Sequence, residues 1–101
     1  MKKIILILVC LSLSNFAFGL SRDSVKDKIV KDEPKIKSAV WRNNNFAIGV
    51  FHDGTNRDGY AQYVCSVLND DYKLRGVSVS VYDIVKITKG KWVKLGNAYC
   101  K

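Results

Sequence analysis

The chain has 101 residues, 48% of them hydrophobic and 26% charged, with 17 Lys and Arg against 9 Asp and Glu and a formal charge of +8 at pH 7. That length holds one small domain and no more. A single histidine leaves too few ligands for an ordinary zinc site.

The first predicted element is a leader. Lys2 and Lys3 precede an apolar run over Ile4 to Leu13, and Ala17-Phe18-Gly19 places small residues ahead of a cut before Leu20. This is the layout of a secretory signal peptide over residues 1–19, and the run is too short to span a bilayer comfortably. Cleavage before Cys10, as in a lipoprotein, would require small residues where Ile7-Leu8-Val9 stand. The expected product, residues 20–101, keeps 15 Lys and Arg against 9 acids, a charge of +6. It also keeps two cysteines, Cys65 and Cys100. An even count in an exported small domain predicts a disulfide, and the pair is too far apart in sequence for a CxxC redox motif.

Residues 21–33, SRDSVKDKIVKDE, carry Val25 and Ile29 at helical spacing, and Pro34 stops the helix. IKSAVWR (36–42) and FAIGVF (46–51) are rich in strand formers. Asn43-Asn44-Asn45 between them is turn chemistry, which predicts a β-hairpin. In HDGTNRDGY (52–60), Asp53-Gly54 ends the second strand and Thr55 with Asp58 forms a T-x-x-D capping pattern. Tyr60, Ala61, Val64, Cys65 and Leu68 then share one helical face, giving a helix over about 57–70. VSVSVYDIVKI (77–87) alternates as a half-buried strand. Thr88-Lys89-Gly90-Lys91 is a turn, and Trp92 to Leu95 pairs back as a lysine-rich edge strand. The fold class expected is α+β in the order α-β-β-α-β-β. A small antiparallel or mixed sheet packs on one main helix, with one disulfide.

Most catalytic chemistry lacks its parts. An EF-hand register that puts Gly59 at the sixth position leaves Gly54 first and Cys65 twelfth, so two calcium ligands are missing. GTNRDG has no following GK[ST] for a phosphate loop. His52 and Asp53 resemble a base and its orienting partner, with Cys65 or Ser66 as nucleophile, but adjacent strand residues point to opposite faces. His52 therefore reads as a surface histidine at a strand end. No metal, cofactor or catalytic constellation is expected.

KITKGKWVK carries the functional colour. Lys86, Lys89, Lys91 and Lys94 surround Trp92, and Lys73, Arg75 and Lys101 are candidates to lie near it. Trp41 beside Arg42 is a second aromatic–cation pair, with Trp41 expected to be buried. Basic residues interleaved with an aromatic suit an acidic protein, an anionic lipid surface or nucleic acid, and export argues against nucleic acid. The competing reading places Trp92 in the core beside a solvated lysine edge.

The first helix, IKSAVWRNNNFAIGVFHDG, the helix from RDGYAQYV and the RGVSVSVYDI strand together resemble the BON domain of exported bacterial proteins. Ile48-Gly49-Val50, Ala61 and Gly76-Val77 stand where that family carries its small and apolar fold-determining residues. The Ala61–Gly76 stretch is longer than in the family, and the C-terminal strand with its cysteine is additional. The resemblance implies an envelope role that includes association with phospholipid surfaces. Two functions follow from the sequence. One is a non-enzymatic exported module acting on an envelope protein, inhibitor- or immunity-like. The other is a BON-like module on anionic phospholipid.

Overall fold

The computed structural model describes residues 21–101; the leader expected over 1–19 lies outside the described residues. The order is α1 (Arg22–Asp32), β1 (Ser38–Arg42), β2 (Asn45–Val50), α2 (Asp58–Asp70), β3 (Ser78–Asp83), α3 (Ile84–Thr88) and β4 (Lys94–Tyr99). One four-stranded sheet runs β1-β2-β3-β4. Its outer pairs are antiparallel and β2 lies parallel to β3, so β2–α2–β3 is a crossover unit. The α+β class, the mixed sheet and the single disulfide are as the residues predict.

The helices form because their ends are satisfied and their apolar stripes are matched by the sheet. Ser21 Oγ accepts from Ser24 N at 3.1 Å to cap α1, and Val25 and Ile29 are buried. α2 buries Ala61, Val64, Cys65 and Leu68 against Phe46, Ile48, Val50, Val79 and Val81, all 1% exposed or less. Two tyrosines tie the helices together through the C-cap of α1. Glu33 accepts from Tyr63 at 2.7 Å and from Tyr60 at 3.4 Å. Cys65 and Cys100 are bonded, Cα to Cα 5.1 Å, which fastens the middle of α2 to the end of β4. A disulfide is consistent with an extracellular or periplasmic location.

Several local expectations are corrected. The strand ending at Ile87 stops at Asp83, because that carboxylate accepts from Val85 N at 3.0 Å and Lys86 N at 3.4 Å and starts α3. The 86–94 stretch is therefore a short helix and a loop rather than a hairpin, and β4 begins at Lys94 instead of Trp92. The Thr55–Asp58 cap does not form. Thr55 donates to Asp53, the N-cap Arg57 makes no side-chain cap bond, Asn56 Oδ1 accepts from Asp58 N at 2.7 Å, and Asp58 Oδ1 accepts from Asn97 N at 2.9 Å. The hairpin turn uses Asn43 and Asn44 alone, with Asn43 left-handed at φ 57°. Asn45 opens β2, and β2 closes at Val50 rather than at Asp53-Gly54.

Candidate partner-binding surface

The sheet has two faces, and the second one makes the site. Asn45 Nδ2 donates to Ser78 Oγ at 2.7 Å and to Ser80 Oγ at 3.0 Å, so a polar ladder crosses β2 and β3 on the side away from α1 and α2. Farther along β2 that face is bare at Gly49. A Cβ there would meet Ile84 Cδ1 at 3.0 Å and Ile87 Cδ1 at 3.2 Å, so the missing side chain is what lets α3 lie down on the sheet. After α3 the chain turns at Gly90, whose φ of 80° suits glycine. Gly90 N donates to Ile87 O at 2.8 Å and Lys91 N to Lys86 O at 2.9 Å. Val93 O then accepts from Asp83 N at 3.0 Å, which leads the chain into β4.

This path carries Trp92 across the second face. Its ring meets Tyr82 edge-on at 5.0 Å between centroids, and the Arg42 guanidinium lies 4.8 Å from its centre. Trp92 remains 48% exposed. Beside it runs a trough of about 320 Å³ lined by Ser38, Val40, Ala47 and Ile87 as well as Trp92. Trp92 is thus neither a core residue nor a freely projecting one. It packs one side on the sheet and shows the other to solvent.

Lys86, Lys89, Lys91 and Lys94 are all exposed. The ion pairs among the described residues are Lys26–Asp27 and Arg57–Asp53, so none of these four lysines is neutralised by a described acid. Arg42 and Val40 join the surface from β1. Sequence reasoning paired Arg42 with Trp41, whereas alternation sends them to opposite faces. Trp41 is half-buried on the helix side, donating from Nε1 to Arg22 O at 3.0 Å.

Three sequence candidates lie elsewhere. Arg75 Nη1 donates to Lys101 O at 3.3 Å and Lys73 Nζ to Asp70 O at 3.0 Å. Cys100 N bonds Val77 O at the start of β3, while Lys94 pairs with Tyr82 near its end, so that group occupies the opposite end of the strand. His52 is exposed, and its Nδ1 accepts from Gly54 N at 3.4 Å; no bond joins it to Asp53. Among the described residues no group of three His, Cys, Asp or Glu side chains is arranged to hold a metal ion. Nor is any helix there long and apolar enough to cross a membrane.

The fold and surface together define a class: a single-disulfide α+β sandwich with a basic, tryptophan-bearing second face. No protein family, curated protein or solved structure was found to match this chain.

Proposed function

We propose that this is a small exported, non-enzymatic binding module, periplasmic or secreted after cleavage of its leader. It acts on a protein partner of the cell envelope, inhibitor- or immunity-like, through the Trp92 face. One observation carries the reading. A half-exposed tryptophan, stacked under Arg42, lies in a stretch whose four lysines are exposed and neutralised by no described acid. Tryptophan and arginine anchor protein interfaces more than other residues do, because each joins a large apolar contact area to directional donors. The adjoining trough gives room for one apolar side chain of the partner.

The alternative is a BON-like module on anionic phospholipid. It draws on the same lysines, with Trp92 at the interface, and on the α-β-β-α-β order of the first five elements. Two measurements separate the readings. The mature, oxidised protein is used as bait on an envelope extract and, separately, sedimented with anionic and neutral vesicles at low and high salt. The protein-partner reading expects a captured protein that is lost on changing Lys89, Lys91 and Lys94 to Glu and on Trp92→Ala, and expects no sedimentation. Capture that survives both changes overturns the surface assignment. Sedimentation with anionic vesicles alone, abolished by salt, replaces this reading with the lipid one.

A further inference from the structure

A second concavity shares no lining residue with the Trp92 trough. It is a cleft of about 290 Å³ where the α1–β1 link meets the segment between β2 and α2, and Lys35, Lys37, Phe51, Asp53 and Arg57 line it together with Pro34 and Val50. Its place follows from topology. In a parallel crossover the strand's carboxyl end and the following helix diverge, which leaves a crevice where ligands of such units sit. Here that crevice is the end of β2 ahead of α2.

Arg57 is the inner wall, its side chain 14% exposed. Its Nη2 donates to Phe51 O at 3.0 Å and lies 3.4 Å from Asp53 Oδ2. Its Nε is buried and has no partner among the described residues. The guanidinium is thus fixed in place by one nitrogen, with much of its hydrogen-bonding capacity unused. A largely buried cation with an unmatched donor gains from an added oxyanion.

Asp53 supplies only part of it, through Oδ2 at 3.4 Å from Nη2, and leaves Nε unmatched. The carboxylate is exposed, and its Oδ1 already accepts from Thr55 N at 3.0 Å and from the Thr55 hydroxyl. Lys35 and Lys37 complete the rim. Their ammonium groups lie over Tyr60 and Phe51, each 5.6 Å from the ring centre, and neither has an ion pair among the described residues. Three cations thus face one carboxylate above an apolar floor of Pro34, Val50 and Phe51.

We propose that this cleft binds a small monoanionic carboxylate carried on an aromatic or aliphatic body, with Arg57 as its anchor and Lys35 and Lys37 over its edge. The planar fork of arginine matches a carboxylate. The volume, at the lower end of about 300–1,000 Å³ for ligand sites, suits a group the size of one amino-acid residue. Asp53 at the rim weighs against a dianion, which it repels more strongly than a monoanion.

The test follows the oxidised mature protein by nitrogen–proton correlation spectroscopy while it is titrated with N-acetyl-phenylalanine, its neutral amide and phenyl phosphate. The acid is expected to give saturable shifts at the Phe51 and Arg57 amides and at Arg57 Nε–H, and the amide none. Arg57→Gln should weaken that binding by about tenfold or more. Asp53→Asn, which leaves the Arg57–Phe51 bond in place, should strengthen it and keeps the test valid if Arg57→Gln fails to fold. Equal response to acid and amide, no saturable shift, or unchanged affinity in both variants would overturn the site. Tighter binding of phenyl phosphate would overturn the preference for a carboxylate.

Discussion

Gly96 of β4 lies against the backbone of Arg57 and Asp58 at the start of α2; a methyl group there would come 2.5 Å from Asp58 N. This close approach closes an edge of the sheet. Arg57 N donates to Leu95 O at 2.9 Å and Asp58 Oδ1 accepts from Asn97 N at 2.9 Å, so the helix start occupies backbone groups that an edge strand would otherwise present. The lysines expected to guard that edge are reduced to Lys94 within β4.

Gly96→Ala should therefore destabilise the protein by about 2–3 kcal/mol, since neither the strand nor the helix start has a flexible side chain to move aside. Gly59, one residue inside α2, is the matched control. A Cβ there meets nothing within 4 Å, and Gly59→Ala should stabilise by about 0.5–1 kcal/mol through helix propensity. Urea unfolding of the two variants checks both signs.

Removing the Cys65–Cys100 bond should cost about 3–4 kcal/mol in the chain-entropy account, given a sequence separation of 35. Both sulfurs sit in the core, so the paired change to alanine tests the crosslink with little polar perturbation. The expected result is a lower denaturation midpoint for the double variant, matched by the wild type under reducing conditions.

Asp83→Ala removes the cap of α3 and should lower stability by about 1 kcal/mol, whereas Asp83→Asn retains most of it. Because α3 and the turn after it position Trp92, the alanine variant should also change the tryptophan near-UV signal. An unchanged signal would mean that Trp92 is held by Tyr82 and Arg42 alone.

Burial and then Glu33 push Tyr60 up to about 12 from an ordinary value of 10. The hydrogen bond to Glu33, followed by its charge, raises Tyr63 as well. A raised folded-state value means that the stability contribution is fully present below the unfolded value and lost as pH rises through the folded one. For Tyr60 the loss falls between pH 10 and about 12. Alkaline unfolding should therefore begin in that window, read by tyrosinate absorbance alongside circular dichroism. Glu33→Gln should bring both tyrosines down toward their ordinary range, and no movement of either would remove Glu33 as a cause.

Signals that repeat along the chain were legible in the sequence. The Val25–Ile29 stripe, the Ala61–Val64–Cys65–Leu68 face and the Val77–Val79–Val81 alternation each fix an element, because burial of one face imposes a period of its own. The cysteine pairing followed from counting. The strand formers in IVKIT were misleading because Asp83 caps locally and Gly49 offers a bare surface for Ile84 and Ile87.

By itself, then, the sequence determined the α+β class, the hairpin, the main helix, the crosslink and which residues are basic and aromatic, since these rest on local pattern and composition. Only the tertiary structure decided that β2 runs parallel to β3, that Asp58 serves β4 instead of Thr55, and that Arg42 covers Trp92 while Trp41 faces the helices. It also brought Lys35, Lys37 and Arg57 to one cleft. Those contacts join residues 19 to 50 positions apart, and pairings of that range are selected by packing across two faces of one sheet, which local periodicity does not encode.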